Sequence, residues 1–418
     1  MKNTLLLQKP SVPLLPPGGE NGKEEEEGGA SKDHQTKLDD RADIHRPNVA
    51  HYDVGVVDRR QVMNFRVRAQ QLDRPEGTLG DTAVLDIGVQ DTGPDGGRWA
   101  LAIRGVDVSA MSAEDLILLW TVRGAPHLYR RADVGKVAAA VEPFSDADAG
   151  KRIYDAAKPL KAAGISNLAA LDEVAAHMRA VVTEPTVKGD VSGRLAKVMP
   201  EPYQRVCRPC NSTHLYEMPF RLAAVRAGLE LQLDTSPPVL QRIARFRKAA
   251  TPDDRLDLIR AYLRLLGPAT PKHVADYLDA PVKDVKARWP EDVIEVLVDG
   301  EARSLLAADE QAWESADATA TRLVGPYDLF LQAKDRATLV PDTAHAKELW
   351  PVLGRPGAVL VDGELVGTWR PRKSGRTFKV AVQPWRTLAA STRNDIVEQA
   401  ERLAAYRSVS LAGVEFPA

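Results

Sequence analysis

A pair of cysteines two residues apart, with a histidine close behind, is the most distinctive chemical spacing in this 418-residue chain. The residues are Cys207, Cys210 and His214. Two thiolates at this spacing can chelate one Zn²⁺, with His214 as a third ligand, and such a zinc would be structural. The alternatives are two thiols in a turn and a redox pair, although a redox pair needs a thioredoxin-like setting that this sequence lacks. No other pattern in the sequence calls for a cofactor.

Two clusters of basic side chains could contact the phosphates of a nucleic acid. One lies on a predicted helix and the other around a predicted β-turn, and their members are Lys283, Lys286 and Arg288, and Arg370, Arg372, Lys373 and Arg376. Lysine and arginine neutralise backbone phosphates and release counterions, so a basic helix or hairpin tip suits DNA. For both clusters the alternative is an ordinary solvated surface.

Arg123 and His127 lie close together in a run that begins at Trp120. The planar guanidinium of Arg123 suits fork-like bonds to a backbone phosphate. His127 could contact a phosphate or a nucleotide flipped out of the duplex. The alternative for His127 is a hydrogen-bonded structural histidine in a loop.

The elements that would position these residues are clearest between residues 251 and 307. Thr251 and Thr270 each have the features of a helix N-cap, with proline at the first helical position. A third helix follows residue 281, and Asp-Gly at 299–300 between two apolar runs predicts a β-hairpin. Three helices followed by a hairpin is the order of a winged helix, whose third helix usually enters the major groove. A small helical domain with a hairpin is the alternative.

Helical spacing predicts further helices over residues 58–71, 81–88, 96–105, 112–122, 146–182 and 219–228. In the fourth of these, Ser112 is the expected N-cap and Asp115 completes a capping box. Residues 358–382 are expected to form a β-meander, and residues 393–406 a closing helix. The sequence therefore predicts an α+β protein with four parts: a tail over 1–54, and folded regions over 55–245, 246–307 and 308–418.

Composition is that of a soluble globular protein, with 44% hydrophobic and 27% charged residues and a formal net charge of -2. Residues 1–54 are rich in Pro, Gly and Glu and are expected to be disordered. The low net charge means that DNA binding must depend on local basic patches. With two cysteines, no apolar run near 20 residues and only a short apolar stretch at Leu5–Leu7, we expect a monomeric cytoplasmic protein.

Several short segments, taken in order, resemble one known family. They are Gly88-Val89-Gln90, the run from Trp120 to His127, the run from Tyr262 to Thr270, Gly325-Pro326-Tyr327-Asp328 with Asp335-Arg336, and Val361-Asp362-Gly363 leading to Arg370. Over roughly residues 56–410 the chain resembles the bacterial winged-helix DNA-binding proteins related to the alkylpurine DNA glycosylases that unhook interstrand crosslinks. The resemblance implies tandem winged-helix modules, closed by a C-terminal β-barrel-like region around a channel for double-stranded DNA.

The resemblance also points to Gln90, Asp91 and Thr92 as catalytic residues. Crosslink-unhooking members carry Gln-x-Gln or Gln-x-Asp here, and the two side chains hold the water that attacks the sugar C1′. In this chain the first Gln is present, the second position is Thr92, and a carboxylate stands one residue early at Asp91. If Asp91 faces inward it could supply the carboxylate, and if it faces outward catalysis would be weak or absent.

The chemistry implied is hydrolysis of the N-glycosidic bond of an alkylated purine in DNA repair or genotoxin resistance. A purine alkylated at N7 or N3 is already cationic, so it leaves without a strong general acid. The protein must then position water and stabilise a positively charged sugar. The alternative function is a non-enzymatic winged-helix protein that binds DNA as a regulator.

Overall fold

The computed structural model describes residues 55–418 except 94–95, 110, 209–210, 315–316, 375–376 and 418. The predicted tail over 1–54, Cys210 and Arg376 therefore lie outside the described residues, and so does the side chain of Lys373.

Helices in the described part are α1 (Arg59–Ala69), α2 (Gly97–Ala102), α3 (Val134–Ala140), α4 (Asp146–Arg152), α5 (Ala157–Ala162), α6 (Asn167–Val181), α7 (Lys188–Ala196), α8 (Glu217–Arg226), α9 (Leu258–Leu266), α10 (Pro271–Leu278), α11 (Val282–Lys286), α12 (Arg336–Leu339), α13 (Thr343–Leu349) and α14 (Ala390–Tyr406).

Strands in the described part are β1 (Gly55–Val57), β2 (Val89–Gln90), β3 (Leu116–Trp120), β4 (Pro126–Arg130), β5 (Thr186–Val187), β6 (Gln204–Cys207), β7 (Ser212–Leu215), β8 (Leu229–Leu231), β9 (Val239–Arg242), β10 (Val293–Val298), β11 (Glu301–Leu306), β12 (Thr321–Val324), β13 (Gly357–Val361), β14 (Glu364–Ser374), β15 (Thr377–Pro384) and β16 (Ser410–Glu415). The α+β class is confirmed.

A six-stranded sheet in the order β2-β4-β3-β8-β9-β5 organises the N-terminal half. The helix predicted over residues 112–122 is wrong, because this stretch contains the central strand β3, all five residues of which are buried. A continuous apolar run that is buried on both faces shows neither the helical nor the strand period, so its sequence does not distinguish a helix from a strand. Ser112 and Asp115 do bond to each other, at 2.9 Å from the Ser112 amide, but they form the turn before the strand.

Most of the other predicted helices of this half are present. Asp58 caps α1, and its side chain accepts from the Gln61 amide at 2.8 Å. The helices α4, α5 and α6 occupy the predicted helical region over 146–182, and α8 precedes Gly228. The stretch predicted as a helix over 81–88 holds only a short 3₁₀ turn at Ala83–Asp86.

The three helices and the hairpin predicted between residues 251 and 307 are all present, as α9, α10, α11 and the β10–β11 pair. Thr270 caps α10 as predicted, and its hydroxyl accepts from the His273 amide at 3.3 Å. Thr251 does not cap α9. That helix starts at Leu258, and the Asp257 carboxylate accepts from the Ile259 and Arg260 amides. In addition β1 pairs in parallel with β10, so the hairpin belongs to a three-stranded sheet.

An open five-stranded sheet in the order β12-β13-β14-β15-β16, half of a barrel, forms the C-terminal region. The predicted meander is confirmed as β13, β14 and β15, with Asp362 and Gly363 in the first turn, both at positive φ. The helix α14 packs against β12 and β16 and closes the fold as predicted. No helix in the described part of the chain is long and apolar enough to cross a membrane.

Buried ion pairs join distant segments. Arg104, after α2, donates to the Asp328 carboxylate at 2.7 and 2.8 Å, and both side chains are almost wholly buried. Asp335, before α12, accepts from Arg66 of α1 at 2.7 Å and from Arg303 of β11 at 2.6 Å. These pairs place the segment around residues 328–335 against the sheet edge that carries Gln90.

Candidate functional site

Gln90 lies at the end of β2, the edge strand of the six-stranded sheet, directly opposite His127 of β4. Its amide nitrogen donates to the Thr92 hydroxyl at 3.0 Å. Its amide oxygen accepts from Gln332 Nε2 at 3.3 Å. Gln90 and Thr92 are both half-buried, and their side chains form a hydrogen-bonded amide–hydroxyl pair.

Asp91 points elsewhere. Neighbouring side chains of an extended segment face opposite sides, and the Asp91 carboxylate accepts from the Gly97 amide at 2.7 Å, at the start of α2. Burial raises the pKa of this carboxyl, while the Gly97 bond and the Arg98 charge partly oppose the shift. The Asp91 carboxylate is therefore engaged at a helix start, on the side away from the Gln90–Thr92 pair.

Gln332 links Gln90 to a cation. It lies at the end of a 3₁₀ turn, Leu329–Gln332, and its amide nitrogen also donates to the Tyr327 carbonyl at 2.7 Å. Its amide oxygen accepts a bond from the Arg123 guanidinium. Gln332 is 242 residues from Gln90 in sequence, so no local pattern pointed to this contact.

Arg123 is held by protein groups on two sides. It occupies the tight turn between β3 and β4 with a φ of 57°, a left-handed conformation. Its guanidinium donates to the Tyr277 carbonyl near the end of α10 and lies 4.7 Å from the centre of the Tyr277 ring. Arg123 therefore joins the sheet edge to α10 and to Gln332, and its charge lies at the Gln90 site.

His127 is completely buried beside Gln90. Its Nδ1 lies 2.9 Å from the Ala125 carbonyl and 3.1 Å from the Thr121 hydroxyl. A carbonyl can only accept, so Nδ1 carries the proton and Nε2 is an acceptor. Burial and the Arg123 charge lower the pKa of His127 to about 3, so the ring is neutral at physiological pH.

Two buried polar atoms near Arg123 have no hydrogen-bond partner among the described residues. They are Nε2 of His127 and the hydroxyl of Tyr277. Tyr277 also packs against Tyr262, with ring centres 5.1 Å apart. Buried polar atoms normally have a partner, so these two mark positions where a water or a ligand atom would be stabilised.

The predicted basic clusters lie on other surfaces. Lys283, Lys286 and Arg288 are exposed on and just after α11, and Arg288 lies 5.0 Å from the centre of the Phe144 ring. Arg370 and Arg372 are exposed on β14, where Arg370 donates to the Gly354 carbonyl at 2.6 Å. DNA contact by these residues stays a prediction.

Cys207 and His214 lie on the two-stranded β6–β7 ladder, where Cys207 is opposite Ser212. The His214 ring nitrogen Nε2 is 3.1 Å from the Ser212 hydroxyl. Within the described ranges, which leave out Cys210, no group of three His, Cys, Asp or Glu side chains could hold a metal ion. Zinc at Cys207, Cys210 and His214 stays a hypothesis.

Fold and site together define a class: an α+β protein with a hydrogen-bonded amide–hydroxyl pair at a sheet edge, linked through Gln332 to a fixed arginine. The family model described as DNA glycosylase AlkZ-like matches residues 84–406, and the chain belongs to this family. The family resemblance read from the sequence is thereby confirmed.

A solved structure with a similar fold is the Streptomyces sahachiroi DNA glycosylase AlkZ. It is 19% identical and superposes with a TM-score of 0.66 over 87% of this chain and 100% of that chain. At 19% identity, this similarity shows that the two proteins share a fold. No curated protein matches the chain.

Proposed function

We propose that this protein is a DNA glycosylase that hydrolyses the N-glycosidic bond of alkylated purines in double-stranded DNA. The proposal rests on the Gln90–Thr92 pair, 3.0 Å apart, which Gln332 holds from the other side at 3.3 Å. The family membership of the chain supports this reading. Gln90 and Thr92 position the water that attacks the sugar C1′.

The site chemistry fits a substrate whose base leaves readily. Neither Gln90 nor Thr92 is a base, and Asp91 is engaged with the Gly97 amide. A cationic N7- or N3-alkylpurine leaves as a neutral base when the C1′–N bond breaks, taking the bonding electron pair. The main task of the site is then to orient by hydrogen bonds the water that attacks C1′, and the proton that this water loses passes to bulk solvent. We therefore assign Asp91 a structural role and expect neutral lesions to be poor substrates.

We also propose that residues 246–307 form a winged-helix module within a tandem series. In this arrangement α10 acts as a wall of the site, since its Tyr277 carbonyl binds Arg123. The exposed cations of α11 and β14 would contact phosphates away from the Gln90 site. The protein would act as a monomer in the bacterial cytoplasm.

Release of N7-methylguanine from duplex DNA tests the catalytic proposal. Gln90→Ala should slow release on the order of 10²-fold, as loss of a positioned polar group in a site typically does. Thr92→Asp should speed release roughly tenfold, because it adds a carboxylate beside the water. Gln311→Ala, an exposed glutamine after β11, is the matched control and should leave the rate unchanged. No release by the wild type from any N3- or N7-alkylated purine would overturn the proposal.

A second candidate is a DNA-binding protein without catalysis. Threonine at position 92 and the outward Asp91 carboxylate favour it, because both remove the carboxylate from the water site. Tight, salt-sensitive DNA binding without base release would support this function.

A further inference from the structure

We propose that Lys334, Arg336 and Arg355, here called the cation patch, bind consecutive phosphates of the DNA strand that passes the Gln90 site. That the bound polymer is double-stranded DNA rests on the proposed function. The assignment of phosphate contacts to these three residues rests on their position next to the Gln90 site. None of its three residues was among the basic residues expected from sequence to contact DNA.

Lys334 shares a short, fixed segment with the site. It follows Gln332 by two residues, and the Arg123 guanidinium that bonds Gln332 lies close enough to Lys334 to lower its pKa. The Lys334 amide donates to the Tyr262 hydroxyl at 3.1 Å, which anchors the backbone. Lys334 therefore extends from the segment whose Gln332 touches Gln90.

The two arginines lie over aromatic rings next to this segment. Arg336 is 4.9 Å from the centre of the Trp350 ring, and Arg355 is 5.8 Å from the centre of the Tyr327 ring. Tyr327 is itself bound to Gln332 through its carbonyl. A cation–π contact attracts the guanidinium to the ring without requiring an N–H hydrogen bond. These contacts hold both cations close to the site and leave N–H donors that can bind a phosphate.

The patch residues have no ion-pair partner within the described part of the chain, although two carboxylates act on Lys334 from a greater distance. Among the ion pairs of the described residues, none includes Lys334, Arg336 or Arg355, whereas Arg66, Arg104 and Arg303 in the same region are all paired. Burial and the nearby Arg123 charge lower the pKa of Lys334 to about 8; Asp279 opposes this shift, Arg336 adds to it by a smaller amount, and Asp276 opposes it least. Burial and Arg355 also lower the pKa of Arg336.

Lys334 is half-buried, and Arg336 and Arg355 are exposed beside it. Repulsion among these cations is unfavourable in the free protein. A row of phosphates would relieve it, because each phosphate contact replaces like-charge repulsion with attraction and releases counterions. The patch also lies next to β14, since Arg370 donates to the carbonyl of Gly354, the residue before Arg355.

Salt dependence of DNA binding tests the patch. The probe is a duplex containing one abasic site, so that base release does not occur during the measurement. Lys334→Met, Arg336→Met and Arg355→Met should each reduce the slope of log K against log salt by about 0.9, the value for one phosphate contact. The control is Lys161→Met, an exposed lysine on α5, which should leave the slope unchanged. Wild-type slopes in all three patch variants would overturn the proposal.

A second measurement uses the lowered pKa of Lys334. A phosphate partner restores the charged form, so the affinity of the wild type should fall about tenfold between pH 7 and pH 9, as the free lysine loses its proton. Lys334→Arg keeps the charge and should bind with the same salt slope but without this loss. Equal pH dependence in both proteins would contradict a phosphate at Lys334.

Failure of the patch and failure of the proposed function are separable. If Gln90→Ala abolishes base release while the patch variants keep the wild-type slope, the glycosylase stands and the patch is overturned. If the wild type releases no base while the patch variants lose slope as expected, the patch stands and the second candidate function replaces the first.

Discussion

His127 faces the same side of its strand pair as Gln90, and its burial fixes its charge. The pKa of about 3 in the folded protein is below the value near 6.5 of an exposed histidine. The unfolded chain therefore binds a proton that the folded protein rejects, and stability is lost as pH falls below about 6.5. By linkage the free energy of unfolding should be about 2 kcal/mol lower at pH 5 than at pH 7 from this residue alone.

Urea unfolding at the two pH values, compared between the wild type and His127→Gln, measures this term. Other groups titrate equally in both proteins, so the difference isolates His127. An equal loss of stability in the variant would show that His127 is not buried and neutral. Because His127 stays neutral, its titration should not affect base release between pH 5 and 8. The pH profiles of the wild type and His127→Gln should therefore have the same shape.

Asp91 offers a test of which side chain carries the chemistry. An asparagine at this position can still accept from the Gly97 amide, and it avoids placing a charge where burial already raises the carboxyl pKa. Asp91→Asn should therefore keep base release within about threefold. Asp91→Ala removes the bond and should lower the free energy of unfolding by about 1 kcal/mol. A hundredfold loss of release in Asp91→Asn with an unchanged fold would instead make Asp91 the catalytic carboxylate.

At the scale of elements, α10 depends on its first turn. Thr270 and His273 satisfy each other's backbone amides, at 3.3 and 3.2 Å. Thr270→Ala should lower the free energy of unfolding by about 1 kcal/mol, while Thr270→Ser should keep most of it. Because the last turn of α10 binds Arg123, hydrogen exchange at Tyr277 should also become faster in the alanine variant. A serine variant as destabilised as the alanine one would contradict capping as the cause.

Elements with local signals were predictable from sequence. Asp58, the Thr270-Pro271 start and the Asp299-Gly300 and Asp362-Gly363 turns all have chemistry that acts over a few residues. The strand β3 was not predictable, because alternate side chains pack into two different apolar clusters, one on each face of the sheet, and the apolar run itself shows no alternation.

In the candidate site, too, only the local part could be predicted from the sequence. Gln90 and Thr92 were identified through a family resemblance, and the hydrogen bond between them spans two residues. Gln332, Lys334 and Tyr277 come from elements that lie far away in sequence and meet Gln90 and Arg123 only through tertiary packing. The direction of the Asp91 side chain was likewise left open by the sequence, since it depends on where α2 begins.

At the scale of the whole molecule, a division into regions 55–245, 246–307 and 308–418 is a prediction that unfolding can test. Asp335 lies in the third region. It binds Arg66 of the first region and Arg303 of the second. Burial raises the pKa of Asp335, but Arg66 and Arg303 outweigh it, and the net direction is downward. We expect one cooperative unfolding transition for all three regions.

Asp335→Ala would leave the buried Arg66 without a carboxylate and Arg303 with only the exposed Glu301, and breaking a buried pair in this way typically costs about 3–5 kcal/mol. The loss should appear as a single shifted transition in chemical denaturation, followed by both tryptophan fluorescence and circular dichroism. The matched control is Glu415→Ala, which removes an exposed ion pair with Lys379, and it should cost less than about 1 kcal/mol. If Asp335→Ala split the transition so that one region unfolded before the others, the regions would be separate domains, and Asp335 would only hold them together.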